Sequence, residues 1–153
     1  MVAEQHKDSV YFSSVYRHGV DEKRRVQIPA KWRSEDPQVL TLLVWPKGKM
    51  PDACLLVLPP EEWVALVTRL KAMPNADPKA EALRLLLGTK SDRVSLDKSG
   101  RICVPDWMAK AVGIEKEAVL AGLVDRFEIW NPARYEASRA LADALLTEAF
   151  KMI

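Results

Sequence analysis

Two short segments of the chain combine an aspartate with closely spaced basic residues, a pattern suited to binding an anion. These segments are 21–25 and 97–101. Residues 17–33 hold six basic and two acidic side chains, and residues 90–101 hold four and two, so together they sum to +6 although the whole chain carries +2. Such a concentrated basic surface on an otherwise acidic body favours a polyanionic partner. Each segment alone is more typical of an ordinary solvated turn than of a binding site.

The other polar residues do not form a recognisable catalytic or metal-binding motif. His6 and His18 have no serine, cysteine or carboxylate at a catalytic spacing, and there is no Walker A loop, GxGxxG or HExxH motif. Cys54 and Cys103 lie neither in a CxxC nor near a histidine, which argues against a zinc site. Cys103 lies in an apolar run and is expected to be a buried free thiol. We therefore expect no enzyme, no cofactor or metal site, and no small-molecule substrate.

The two basic segments belong to an internal repeat. At an offset of 76 residues, 20–29 aligns with 96–105, and both contain aspartate, a three-residue turn, arginine, two alternating apolar residues and proline. At an offset of 72, 54–59 aligns with 126–131. Two blocks repeated in the same order indicate a duplication. The first copy has four more residues between its blocks, which we place in the Pro/Gly/Lys loop 47–52.

Each copy is predicted to contain four strands, a short helix behind the proline and a longer terminal helix. The predicted strands are 13–20, 25–28, 39–45 and 54–58 in the first copy, and 89–96, 101–104, 118–124 and 126–130 in the second. Pro60 and Pro132 stand where helices favour proline, and Asn131 is the expected N-cap before Pro132. Gly113 is expected to end the short helix of the second copy, and Asp77 caps a connecting helix that ends at Gly88. Candidate core residues are Leu83, Leu86, Leu87, Tyr135, Leu141, Leu145, Leu146, Trp32, Trp63, Trp107 and Trp130.

These elements define five segments. They are a tail (1–11), the first repeat (12–75), a connecting helix (76–88), the second repeat (89–136) and a C-terminal helix (137–153). The tail is polar and has no counterpart in the second copy, so we expect it to be flexible. No signal-peptide pattern and no window of about 18 apolar residues is present. We therefore expect a cytoplasmic protein without a membrane partner.

The doubled turn pattern resembles that of the MraZ family when it is taken with two later motifs. These motifs are Leu-Leu-Leu-Gly at 85–88 and Phe-Glu-Ile-Trp at 127–130, and the resemblance extends from about Phe12 to Tyr135. It implies an α+β fold of two tandem AbrB-like swapped-hairpin β units with pseudo-twofold symmetry, plus packing helices. It also implies a nucleoid-associated transcriptional regulator that assembles into a homo-oligomeric ring. Repression is favoured over activation as its role. Its target would be direct repeats in the promoter of its own division and cell-wall gene cluster.

The resemblance places a DNA-facing surface at the two turns. The positions that it carries over are Asp21, Lys23, Arg25, Asp97, Lys98 and Arg101. The basic segments add Arg24 and the repeat-equivalent pair Arg17 and Arg93. Among these, Lys23, Arg24 and Lys98 suit contacts to the phosphates of double-stranded DNA, whereas Arg25 and Arg101 suit guanine O6 and N7. Each of the latter two arginines has an alternative role, in which it pairs with the aspartate and fixes the turn, and the two roles can coexist.

The first turn departs from the family pattern at one position. The second turn has Gly100, whereas the first has Arg24. Because glycine supplies a positive φ at little cost, either the first turn has another conformation or Arg24 accepts the strain. Two other functions stay open, a non-catalytic ring-forming assembly protein and an AbrB-like antitoxin. The antitoxin fits less well, because the predicted C-terminus is an amphipathic helix rather than a disordered tail.

Overall fold

A computed structural model describes residues 10–36 and 38–153 of the chain. The strands are β1 (Val15–Gly19), β2 (Arg25–Gln27), β3 (Val39–Lys47), β4 (Met50–Leu58), β5 (Ser91–Ser95), β6 (Arg101–Cys103), β7 (Glu117–Gly122) and β8 (Phe127–Trp130). The helices are α1 (Pro60–Lys71), α2 (Pro78–Thr89), α3 (Asp106–Val112), α4 (Pro132–Asp143) and α5 (Leu146–Ala149), with 3-10 turns at Ala30–Trp32 and Phe150–Met152.

The two copies of the repeat interleave in one sheet. Six strands lie in the order β1-β7-β8-β4-β3-β5, and β2 and β6 form a separate two-stranded ladder. The first strand of each copy pairs with a strand of the other copy, β1 with β7 and β5 with β3. All of these pairings are antiparallel. The predicted α+β fold of swapped-hairpin units is thereby confirmed.

Two residue pairs lie on the pseudo-twofold axis. Val26 faces Ile102 in the β2–β6 ladder, and Leu56 faces Glu128 between β4 and β8. Each pair joins positions that the sequence alignment makes equivalent, at offsets of 76 and 72. The strand order is also symmetric about the β8–β4 contact. The duplication inferred from the sequence is therefore visible residue by residue.

The net difference of four residues between the copies arises from two changes. Leu42 faces Val57, 15 residues further along the chain, whereas the equivalent Leu120 faces Ile129, only 9 residues further along. The β3–β4 hairpin is thus the longer one, and it includes the predicted loop. In the opposite sense, helix α3 of the second copy is longer than the 3-10 turn at Ala30–Trp32. The prediction therefore found the site of the insertion but underestimated its length.

Caps and glycine conformations set several helix boundaries. Asp77 accepts a hydrogen bond from the N–H of Lys79 at 2.9 Å and caps α2. Asn131 accepts one from the N–H of Arg134 at 3.1 Å and caps α4. Gly113 ends α3 with a φ of +73°, the left-handed conformation that favours glycine at this position. The predicted caps of these helices are therefore confirmed.

The main core lies between the six-stranded sheet and the inner face of the ladder. Alternate residues of the ladder strands and their extensions point into it: Val26, Ile28, Ile102 and Val104 are each at most 1% exposed. An aromatic cluster of Phe12, Tyr16, Trp32 and Phe127 packs there, largely edge to face or tilted. Burial of this apolar face requires the opposite face of the ladder to point towards solvent, because strand side chains alternate.

Several helical leucines predicted to be core residues are exposed instead. On α2, Leu83 and Leu86 are 41% and 49% exposed, and Leu87 is the candidate of this helix that packs on the sheet. Leu141, Leu145 and Leu146 are exposed as well. In place of one helix over 137–153, the chain forms α4, a break at 144–145 and the short α5. Amphipathic spacing identified the apolar faces, but it does not specify what covers them.

Trp107 and Cys103 also lie outside the core, contrary to prediction. Trp107 is 44% exposed, because its neighbour Met108 takes the buried position that Trp32 holds in the first copy. Cys103 is exposed because strand side chains alternate and its neighbour Ile102 faces inward.

Candidate nucleic-acid interface

The β2–β6 ladder presents four side chains on the face opposite the core, which we call the ladder face. They are Arg25, Gln27, Arg101 and Cys103. Because the strands are antiparallel, Arg25 faces Cys103 and Gln27 faces Arg101 across the ladder. The two arginines are thus diagonal neighbours related by the pseudo-twofold axis. The fold brings the two predicted base-reading arginines onto one small surface.

Each turn is closed by its aspartate in the same way. Asp21 Oδ1 accepts hydrogen bonds from the N–H groups of Lys23 and Arg25, both at 2.9 Å, and its Oδ2 accepts one from Arg25 Nε at 2.6 Å. Asp97 receives the equivalent three bonds at 2.9, 3.0 and 3.1 Å. Hydrogen bonds to a carboxylate favour its charged form, so the pKa of both aspartates is lowered. The backbone N–H of the turn arginine is the largest cause in each case.

The aspartates leave part of each turn arginine available. Arg25 and Arg101 bind their own aspartates through Nε, and their side chains are 34% and 31% exposed. Arg101 Nη1 also lies 3.9 Å from Asp21 Oδ2, so the two turns are electrostatic neighbours. Within residues 10–36 and 38–153, neither guanidinium donates a hydrogen bond through Nη. Turn fixation through Nε and anion contact through Nη are therefore compatible in geometry.

Two residues that site prediction missed tie each turn to the opposite strand. Gln27 Nε2 donates to the carbonyl of Ser99 at 2.9 Å, and Cys103 Sγ donates to the carbonyl of Lys23 at 3.2 Å. Both donors and both acceptors are equivalent pairs of the repeat at the 76-residue offset. Strand alternation was the available signal, because it places the two donors on the same face as the arginines.

Arg24 adopts the conformation of the glycine that it replaces. Its φ is +59°, and Gly100 has a φ of +79° in the second turn. The guanidinium turns towards α3, where Nη1 donates to the carbonyl of Ile114 at 2.9 Å and Nε lies 3.4 Å from Asp106 Oδ1. Of the two alternatives for this position, the structure shows the one in which Arg24 accepts the left-handed backbone.

The other predicted cations lie around the ladder in different settings. Lys23 and Lys98 are exposed in the two turns. Arg17 lies on the edge strand β1, where it pairs with Glu117 at 2.8 Å and Glu136 at 3.4 Å. Arg93 holds the equivalent place on the opposite edge strand, β5, and has no ion pair within the described residues. The structure thus unites the two turns but leaves Arg17 and Arg93 on the sheet edges.

Known proteins are similar to this sequence over most of its length. The "Transcriptional regulator MraZ" of Clostridium tetani is 36% identical over 125 residues, which cover 82% of this chain and 84% of the relative. This chain belongs to the MraZ family. The MraZ regulators of Thiobacillus denitrificans and Desulfitobacterium hafniense (strain Y51) are 32% and 33% identical over 143 residues each. These alignments cover 90% and 93% of this chain, and 93% and 96% of the respective relatives.

The family model described as "MraZ protein, putative antitoxin-like" matches residues 87–151. That match contains the second turn, strands β5–β8 and helix α4. The alignments with the relatives cover most of the chain, so the assignment to the MraZ family includes the first copy as well. Among the helices of 10–36 and 38–153, none has the length and apolar character needed to cross a membrane.

The MraZ-family fold also carries apolar grooves away from the ladder face. One lies between the β3–β4 hairpin and helices α1 and α2, and its lining includes Trp45, Pro51, Leu66, Leu70 and Leu86. Another lies between the β3–β4 turn and α4, and its lining includes Met50, Trp130, Leu141 and Leu145. Surfaces of this kind commonly mark protein contacts.

Proposed function

We propose that this protein is a sequence-specific DNA-binding transcriptional regulator that contacts double-stranded DNA through the ladder face and its two turns. The observation that carries the proposal is the symmetric placement of Arg25 and Arg101. Both are fixed through Nε by an aspartate, and within residues 10–36 and 38–153 neither donates a hydrogen bond through Nη. The relatives named as transcriptional regulators support the same function. The protein would act in the cytoplasm, at the nucleoid.

The proposed contacts divide between phosphates and bases. A two-stranded ladder fits the major groove of B-DNA, and arginine donates two hydrogen bonds to guanine O6 and N7. Because aspartate holds Nε, the two Nη groups at the end of each arginine, Arg25 or Arg101, are assigned to donate these two hydrogen bonds. Lys23 and Lys98 are assigned to phosphates, and Arg17 and Arg93 to flanking backbone contacts. We assign Asp21 and Asp97 to orienting the arginines, and Arg24 to supporting the first turn beside the phosphate contacts.

The proposal includes self-assembly and the choice of target. The exposed leucines of α2 and of the C-terminal helices, with the apolar grooves, suit contacts between copies of the chain. A ring would place several ladder faces side by side, so weak contacts with spaced direct repeats would become strong collectively. The target would be the promoter of the protein's own division and cell-wall gene cluster, where it would act as a repressor.

The cysteines provide a direct test of the ladder face. Cys103 is exposed on this face, whereas Cys54 is buried and the pKa of its thiol is raised, chiefly by burial and further by Glu128. N-ethylmaleimide should therefore modify Cys103 alone in the native protein. We expect saturating promoter DNA to slow this modification at least tenfold, and unrelated DNA at the same salt to slow it much less.

The matched control is a Cys103→Ser variant, which should show no native labelling while it retains DNA binding. Equal labelling rates with and without saturating promoter DNA would refute the ladder face as the DNA contact. If the protein forms oligomers but binds no DNA at low salt, the assembly function replaces the regulatory one. Light scattering that shows monomers with and without target DNA would remove the ring from the proposal.

A further inference from the structure

The two turns lie beside equivalent clefts that are filled in different ways. The cleft beside the second turn is lined by Ile28, Arg33, Asp97 and Gly100, among others. The cleft beside the first turn is lined by the repeat-equivalent residues Val104, Ala109, Asp21 and Arg24. Both clefts lie between a turn of one copy and the segment that follows the ladder strand of the other. The side chains in the two clefts can therefore be compared position by position.

In the second cleft the space beside the turn belongs to Arg33. Gly100 is buried with a positive φ, and a Cβ added to it would lie 2.7 Å from Arg33 Cζ and 2.9 Å from Arg33 Cδ. Real Cβ contacts are essentially never this short, so a residue larger than glycine at this position would require the side chain of Arg33 to move. Arg33 Nε is buried without a hydrogen-bond partner among the described residues, so packing is what places this part of the side chain.

In the first cleft the arrangement is reversed. The turn itself supplies the guanidinium, because Arg24 reaches across to the Ile114 carbonyl and Asp106 of the other copy. The position equivalent to Arg33 is Ala109, which is fully buried. One cleft thus combines arginine on the turn with alanine across from it, and the other combines glycine on the turn with arginine across from it.

We propose that Arg33 is a positioning residue for the second DNA-contacting turn, and that Arg24 does the same for the first from within the turn. Each guanidinium lies in its cleft and holds the left-handed residue next to Arg25 or Arg101 in place. The pairs Arg24/Ala109 and Gly100/Arg33 are then two interchangeable solutions, and a residue of one pair fits only with its own partner. The consequence for DNA contact rests on the function proposed above, but the effect on the turn does not.

The first test measures hydrogen exchange of the turn by mass spectrometry in the full-length protein. Arg33→Met keeps an unbranched, flexible stem but removes the guanidinium. We expect it to speed exchange at the N–H groups of Ser99 and Arg101, which bind Asp97, at least tenfold. Lys31→Met is the control, because it removes the same charge from an exposed position of the 3-10 turn that Arg33 caps. Exchange in Arg33→Met within twofold of the wild type would overturn the proposal.

The second test exchanges one complete pair. Arg24→Gly and Ala109→Arg should each loosen the first turn or prevent folding. The double variant has the wild-type charge and recreates the arrangement of the second cleft. We expect the exchange rates of its first turn to lie within threefold of those of the wild type. A double variant that is no better than the worse single variant would contradict interchangeability even if both singles fold poorly.

DNA binding separates this inference from the proposed function. Fluorescence anisotropy with promoter DNA should show at least a fivefold loss of affinity for Arg33→Met beyond the loss shown by Lys31→Met. If the wild type binds no DNA, the proposed function fails while the exchange tests still decide the positioning role. If the wild type binds DNA and Arg33→Met binds equally well with an undisturbed turn, the positioning role fails alone.

Discussion

The two copies of the repeat keep the same backbone where they meet the ladder, but they stabilise it with different side chains. The positive φ of the turn belongs to Arg24 in one copy and to Gly100 in the other. On the axis, the buried Leu56 of one copy faces the buried Glu128 of the other. Hydrogen bonds donated to the aspartate by backbone N–H groups and by the turn arginine close both turns in the same way. The residues around the turns differ between the copies.

The largest expected effect concerns DNA affinity. If the two turns contact DNA equivalently, Arg25→Ala and Arg101→Ala should each cost about 1–3 kcal/mol of binding free energy at specific sites. The binding free energy lost by the double variant should be roughly the sum of the two single losses. Fluorescence anisotropy titrations at a fixed salt concentration would measure this loss, with the oligomeric state checked for each variant.

Unequal losses would instead show that the Arg24 turn and the Gly100 turn read DNA differently. A folded, normally assembled double variant that binds its promoter unchanged would refute the site assignment. Lys49→Ala in the distant β3–β4 turn provides a control for the removal of a basic side chain.

The next effect tests the asymmetry on the axis. Glu128 is 4% exposed, receives a hydrogen bond from Trp130 Nε1 at 2.9 Å and pairs with Lys47 at 2.8 Å. Lys47→Met leaves this carboxylate without its cation and should lower the free energy of unfolding by about 1–3 kcal/mol. Glu128→Leu installs the residue found at the equivalent Leu56 and should cost less, since it removes the buried charge as well. Urea denaturation would measure both, and a larger loss for Glu128→Leu would contradict this reasoning.

A smaller effect compares the two hairpin turns. The β3–β4 turn has Gly48 at a φ of +56°, whereas the β7–β8 turn has Val124 at +71°. A β-branched residue is strained there, so Val124→Asn should raise the free energy of unfolding by about 1 kcal/mol. The backbone hydrogen bonds that Val124 exchanges with Phe12 do not depend on its side chain. Val64→Asn, at an exposed valine of α1 without positive φ, should give no such gain.

The sequence was most informative where the cause of a structure lies within a few residues. Alternation placed the inward residues of the ladder, and Asp77 and Asn131 marked helix starts, because strand alternation and capping are local effects. The bond from Gln27 to Ser99 and the packing of Arg33 on Gly100 join different copies. No local pattern specifies such contacts, since they depend on how the swapped hairpins interleave.

The exposed surfaces show the same limit. The leucines of α2 form an apolar pattern, and pattern alone suggested that they were core residues. The fold leaves Leu83 and Leu86 exposed, because α2 connects the copies and contacts the sheet through only part of its surface. An apolar stripe indicates burial against something, but whether that partner is the same chain or another copy requires the assembled structure.

The smallest expected effect is the pH dependence of the two turns. The pKa of Asp21 and Asp97 is lowered in the folded protein from the ordinary value of 3.8, first through the backbone N–H of the turn arginines. A lowered folded-state pKa stabilises the fold above the ordinary value, and this contribution disappears as the pH falls through the lowered value. Chemical denaturation from pH 6 to pH 2.5 should therefore show a gap between the wild type and Asp21→Asn/Asp97→Asn that is constant above about pH 5. The gap should narrow below pH 4. Single variants would show whether the two copies contribute equally. A difference in the free energy of unfolding that widens in acid would contradict the lowered pKa of the two aspartates.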